Sequence, residues 1–150
     1  WVKQEKLENV IKFWGYKEDA AKWLTAADLF ILTSHSESCP NAIGEALRAG
    51  LPVISTKCSD LTNMVEEGEN GYLINDNDLD TLTKTVLKYL TLPLETKQAW
   101  RNKSTELFEQ HFTLTIMGEK ITSTYLSLLS KIKNKHPHIQ NKLNNLKHSL

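Results

Sequence analysis

The sequence predicts an α/β domain, a parallel sheet layered with helices, that gives way to an all-helical segment. Three observations carry this. Short apolar runs alternate with helical patterns over the first 75 residues. Two of those runs, Leu29 to Leu32 and Leu51 to Ile54, lack the apolar–polar alternation of a half-exposed strand. Strands apolar on both faces belong to parallel sheets covered on both sides. Beyond residue 75 the apolar positions recur only at helical spacing.

Taken in order, Asn9 to Trp14 reads as a strand ended by Gly15, and Asp19 to Ala26 as a short helix. Asp28 to Thr33 is a second strand. Ser34 to Asn41 is a polar loop, and Ala42 to Ala49 a helix with Gly50 where a C-terminal cap belongs. Pro52 to Ser55 is a third strand, Leu61 to Glu67 a helical turn or two, and Asn70-Gly71 a turn before a fourth strand, Tyr72 to Ile74. Leu79, Leu82, Val86, Leu87 and Leu90 mark the apolar face of a helix that Asn77 or Asp78 can cap. Glu95 to Gln110 is a second helix, with Trp100, Leu107 and Phe108 as packing residues. Thr113 can cap a third, in which Met117, Ile121, Tyr125, Leu128 and Ile132 recur. The packed domain is expected over 1–130, and 131–150 as a basic polar tail.

Composition narrows the function classes. A chain of 150 residues, 40% hydrophobic and 24% charged, is one soluble domain or a large piece of one. Its 18 basic and 18 acidic groups balance, but the tail holds five lysines, three histidines and no acid, so residues 1–130 are net negative by five. Such a body is a poor binder of a phosphate backbone, which argues against a nucleic acid partner. Contact with an anionic membrane would fall on the tail, so the expected location is the cytoplasm, with the inner membrane face as a peripheral site. Two cysteines fit a reduced compartment, and no apolar run approaches the ~20 residues of a spanning helix. Trp1 opens the chain without an initiator Met, so the chain is expected to be a piece of something longer.

Ligands of an open parallel sheet bind outside the carboxyl ends of its strands. Three loops are expected there: Trp14 to Lys17, Ser34 to Asn41, and Thr56 to Asp60. The middle one, Ser34-His35-Ser36-Glu37-Ser38-Cys39-Pro40-Asn41, runs straight into a helix. A helix N-terminus offers unpaired amides and the positive end of the dipole, a natural anion site. Glu37 and Glu45 bracket it. Carboxylates beside a phosphate site make sense where they meet hydroxyl groups: Glu45 can accept from a ribose diol and Glu37 from another polyol. A ligand anionic in the middle and hydroxylated at both ends is a nucleotide diphosphate sugar. Glu45 can equally be a helix acid favoured by the dipole.

Glu37-x7-Glu45, continued by Ala46-Leu47-Arg48-Ala49-Gly50-Leu51-Pro52-Val53-Ile54-Ser55-Thr56, resembles the signature of family 4, or group 1, retaining glycosyltransferases. Its usual form is E-G-F-P-N-x-x-x-E-A-M-A-x-G-x-P-V-I-A-T. The similarity extends through Val10 to Gly15, Ala27 to Ser34, and Glu67-Gly68-Glu69-Asn70-Gly71-Tyr72-Leu73-Ile74, so that several motifs occur in one order. The resemblance implies the GT-B fold, two Rossmann-like domains facing a cleft, and this chain is similar to most of the C-terminal, donor-binding one. It implies that Glu45 holds the donor ribose and Glu37 the transferred sugar. The backbone at Ser38, Cys39, Asn41 and Ala42 would meet sugar hydroxyls and diphosphate, and Tyr16 or Trp14 would edge the base slot. The implied donor is a UDP-linked hexose, with no metal and no cofactor. The acceptor, a glycan or lipid-linked sugar, would bind a domain ahead of residue 1, as would the family's phosphate-gripping Arg and Lys. Three positions depart from the pattern: Ser38 and Cys39 replace Gly-Phe, and Ser59 stands where Gly is common; Pro40, which the pattern shares, has no amide to give.

Other signals carry less. Asp76-Asn77-Asp78 spells the D-x-D metal motif, but at a helix start, where such residues cap. His35 can bond a phosphate or sugar, or simply face solvent. Cys39 and Cys58 lack the partners of a thiol nucleophile, Ser36 and Ser38 lack a nucleophile-elbow context, and His136-Pro137-His138 is short of metal ligands. The competing readings are a GT-B epimerase or phosphorylase, a stand-alone nucleotide-sugar-binding module or inactive fragment, and a receiver domain, whose acidic cluster is not found.

Overall fold

In a computed structural model the described residues are 1–61 and 63–135. They form two compact units, one over residues 1–105 and one beginning at Glu106. The first holds a parallel sheet in the order β1-β2-β3, made of β1 (Phe30–Leu32), β2 (Val53–Thr56) and β3 (Gly71–Ile74). Phe30 pairs with Val53, and Val53 with Gly71. Helices α1 (Ala20–Thr25), α2 (Asn41–Arg48) and α3 (Leu79–Thr91) follow in the same unit, and α4 (Leu94–His111) begins there. The expected parallel sheet is present, with three strands.

The first expected strand, Asn9 to Trp14, does not form. A strand exists through its ladder, and the backbone here bonds locally instead: the Val10 and Ile11 amides both donate to the Leu7 carbonyl. Phe13 is left 84% exposed. Of the helical turn or two expected after Leu61, one turn closes: Val65 N–H reaches Leu61 O at 2.9 Å.

The central strand β2 is buried at every position, because it is covered from above and below as well as paired on both sides. Ile54 packs with Tyr89 and Trp100, and Leu29, Tyr72, Leu82, Val86 and Leu92 close around them. The Trp100 and Tyr72 rings meet edge to face at 5.1 Å. The face predicted for α3 is only half used. Leu82 and Val86 turn inward, whereas Leu79, Leu87 and Leu90 are exposed, and the buried residue of the helix is Tyr89. Its hydroxyl donates to Asp28 O at 2.7 Å, and burial holds the phenol above its ordinary pKa. Asp78 caps α3 by accepting from Thr81 N at 2.9 Å, and hydrogen bonding from the Thr81 side chain, with that backbone bond, lowers the pKa of its carboxyl.

Helix α2 stops at Gly50, which sits at φ +68°. Gly50 N–H bonds Leu47 O and Leu51 N–H bonds Ala46 O, both at 2.9 Å. This is the paired termination that a left-handed residue permits, and it turns the chain directly into β2. The start of β3 is fixed by Asn70, which is fully buried. Its side chain accepts from Glu66 N at 2.7 Å and donates to Met64 O at 3.0 Å, and its carbonyl accepts from Val53 N at 2.9 Å.

The second unit contains α5 (Leu114–Lys135), capped as expected by Thr113, whose Oγ1 accepts from Ile116 N at 3.3 Å. The stripe Met117, Ile121, Tyr125, Leu128 and Ile132 is present on it but exposed rather than packed. The helix runs past residue 130; the remainder of the predicted tail, with His136-Pro137-His138, lies outside the described residues. No helix among the described residues is long and apolar enough to cross a membrane.

Two glycines separate packing from propensity. A Cβ on Gly71 would fall inside the Val53 carbonyl and 3.1 Å from Val65 Cγ1. Gly71→Ala should therefore cost about 3 kcal/mol or more, as overpacking against rigid backbone does. A Cβ on Gly44, inside α2, would meet nothing within 4 Å. Gly44→Ala should instead gain about 0.5–1 kcal/mol of helix propensity. Urea titrations of both variants check the pair; equal effects would contradict the packing described.

Candidate functional site

The carboxyl ends of β1 and β2 carry two of the three loops expected to bind. Ser34 follows β1, and its carbonyl accepts from Thr56 Oγ1, at the end of β2, at 2.5 Å. Ser34 Oγ in turn donates to Glu37 Oε1 at 2.8 Å. Glu37 N–H donates to Cys58 O at 3.0 Å, in the loop after β2. Glu37 is thus held at two points, side chain and backbone, half-buried, with one carboxylate oxygen occupied and the other not used by that bond. Sequence spacing singled out Glu37 but not Ser34, which holds it, or Thr56, which holds Ser34; their hydroxyls are ordinary until the strands are aligned.

The loop then enters α2 through Pro40, the N-terminal flanking residue, which carries no side-chain cap. Asn41 N–H donates back to Cys39 O and Ile43 N–H to Pro40 O, each at 2.9 Å. Of the amides singled out from sequence, that of Asn41 is therefore engaged within the loop. The Cys39 thiol is exposed and reaches Asn41 Oδ1 at 3.8 Å, while Cys58 is buried. Ser38 and Ala42 are exposed at the loop end and on the first turn. Helix α2 buries Ile43, Ala46 and Leu47 and leaves Glu45 outward.

Glu45 and Ala42 do not face open solvent alone. They share a groove of about 430 Å³ with Trp14, Gly15, Tyr16 and Lys17, closed by Trp23 and Phe30. The loop expected at the sheet edge is there, although the strand predicted to lead into it is not. Gly15, at φ +61°, makes the turn that brings Trp14 and Tyr16 round. One side of the groove is aromatic and the other is the first turn of a helix carrying a carboxylate. Glu37 stands outside its lining, at the other end of the loop.

Asp76 and Asp78 line a second, smaller hollow with Thr33 and Thr56. Their carboxylates are used: Asp78 caps α3, and Asp76 accepts from Asn77 N at 2.9 Å and pairs with His35 Nδ1. His35 thereby ties the Ser34–Asn41 loop to the turn after β3. Ser59 Oγ is buried without a hydrogen-bond partner among the described residues.

Comparison with known proteins bears on the family and the fold. The family profile "Glycosyl transferases group 1" matches residues 1–91. The chain is 28% identical over 130 residues to WcaL of Salmonella typhimurium, assigned as a colanic acid biosynthesis glycosyltransferase, covering 81% of this chain and 32% of that protein. It is 28% identical over 121 residues to the lipopolysaccharide core biosynthesis glycosyltransferase LpsE of Rhizobium meliloti, covering 80% and 34%. Among solved structures, Alr3699/HepE of Anabaena, in complex with UDP-glucose, superposes with a TM-score of 0.75 at 25% identity, covering 84% of this chain and 35% of that one. The chain spans about a third of the length of the curated relatives it matches. The parallel sheet with its helices is that of a GT-B domain, and the chain belongs to the group 1 glycosyl transferases.

Proposed function

We propose that this chain is the donor-binding part of a retaining glycosyltransferase that transfers a hexose from a UDP-sugar in polysaccharide or cell-envelope glycan synthesis. One observation carries the reading: Glu45 and the first turn of α2 share a groove with the aromatic loop Trp14 to Lys17. A nucleotide diphosphate sugar matches it part by part. The base lies against Trp14 and Tyr16. The ribose hydroxyls donate to Glu45. The diphosphate lies at the N-terminus of α2, where the amides and dipole favour anions. The sugar extends along the Ser34–Asn41 loop to Glu37, whose second carboxylate oxygen accepts from a sugar hydroxyl. The names of WcaL and LpsE, and the UDP-glucose bound to HepE, support the substrate class.

The groups on this chain bind and orient. Departure of the diphosphate is eased by preorganised amides at α2, which act where negative charge develops. Basic side chains and the acceptor site come from the rest of the enzyme, so residues 1–150 alone bind nucleotide without transferring sugar. Metal has no assigned role, since Asp78 is committed to its cap and Asp76 to His35.

Glu45→Ala removes an acceptor of charged hydrogen bonds worth about 1.5–3 kcal/mol, so UDP affinity should fall about tenfold or more by titration calorimetry. The 2′-deoxy analogue of UDP should bind wild type more weakly and lose little further on the variant. Unchanged binding by Glu45→Ala would reduce Glu45 to a helix acid. Glu37 and its support should act on the sugar instead. Ser34→Ala, which frees the Glu37 carboxylate, should weaken UDP-glucose about fivefold, the effect of one hydrogen bond, and leave UDP alone. Equal losses for both ligands would contradict the division. Transfer by the whole enzyme should survive EDTA, and Asp76→Asn should be nearly silent; activity restored only by Mn²⁺ would refute the metal-free reading.

A further inference from the structure

The loop that walls the aromatic side of the groove has no sheet pairing behind it. Among the described residues the chain before it bonds locally, at Leu7, Val10 and Ile11 and from Lys12 Nζ to Glu8 O. What ties the loop to the helical layer is a cluster of three side chains. The Trp14 and Trp23 rings lie 4.5 Å apart, centroid to centroid, tilted by 46°. The Lys17 ammonium sits 5.3 Å from the Trp23 ring centre and 5.7 Å from that of Trp14. Trp23 belongs to α1, so the ammonium spans loop and helix. The nearby Asp19 carboxylate pairs with Lys22 at 2.7 Å, while the Lys17 ammonium lies over the two indoles. Attraction of an ammonium to two ring faces, added to ring packing, is a directional tether for a segment with little other support.

We infer that Lys17 and Trp23 are positioning residues of the nucleobase slot, holding the Trp14 indole as a fixed wall against which the planar base stacks. The inference rests on the donor-binding reading and adds two residues to it. It also sets the role of the one lysine lining this groove: the ammonium serves the rings, not the diphosphate. A phosphate-binding lysine and a ring-clamping lysine make opposite predictions for a ligand that has a base but no phosphate.

The test compares wild type, Lys17→Met, Lys17→Arg and Trp23→Ala in calorimetric titrations with UDP and with uridine, beside indole emission and acrylamide quenching of the ligand-free protein. Lys17→Met keeps the aliphatic stem and removes the charge. It should weaken UDP and uridine by the same factor, about fivefold, the scale of a partly exposed cation–π contact. Trp23→Ala should do at least as much, and Lys17→Arg should recover binding. In the free protein, Lys17→Met should shift emission to the red and increase quenching. A loss for UDP with uridine unchanged would make Lys17 a phosphate contact and overturn the clamp, and so would binding unchanged for both ligands. A wild-type protein that binds neither ligand would overturn the donor reading itself. The emission data then still judge the clamp, and emission unchanged in Lys17→Met would overturn it separately.

Discussion

The buried, doubly paired strand β2 is the constraint on which the rest of the first unit depends. Its backbone is committed to β1 on one side and β3 on the other, and its side chains to the layers above and below. Because all three strands are parallel, their carboxyl ends fall on one edge, and the loops that leave them must meet there. The contacts from Thr56 to Ser34 and from Glu37 to Cys58 O are consequences of that alignment. So is the direction of α2, since its termination at Gly50 delivers the chain straight into β2 and fixes where the other end of the helix points.

Two kinds of residue hold this frame, and they behave differently. Ile54, Tyr89 and Trp100 contribute through area removed from water, which tolerates modest change. Gly71 and Asn70 contribute through geometry. The first lets β3 approach the Val53 carbonyl, and the second satisfies backbone groups in the turn that precedes it. A buried amide is costly unless each polar atom has a partner, and the Asn70 side chain has them on both its oxygen and its nitrogen. These two positions set the register of β3 and through it the turn that carries Asp76 to His35.

How much of this was legible in the sequence follows from the range of each interaction. The buried strands showed as runs without alternation, Gly50 as a cap and Thr113 as another, because those signals are local. Glu37 and Glu45 stood out through their spacing around a helix start and through a family signature that the comparisons support. Asn9 to Trp14 looked like a strand for a local reason too, its β-branched and aromatic content, but a strand also needs a neighbour, and propensity says nothing of that. Leu79, Leu87 and Leu90 fell on a helical stripe wider than the surface available to cover it. Trp23 gave no signal, and Lys17, Ser34 and Thr56 showed only as loop ends, because their roles lie in contacts between different elements.

The proposed donor site runs across three elements, and a crystal structure of the chain grown with UDP-glucose tests it directly. The account predicts the uracil beside Trp14 and Tyr16, the ribose hydroxyls on Glu45, the diphosphate at the first turn of α2 and the glucose reaching Glu37. A nucleotide seated instead in the hollow lined by Asp76 and Asp78, or bound with its ribose away from Glu45, would contradict it.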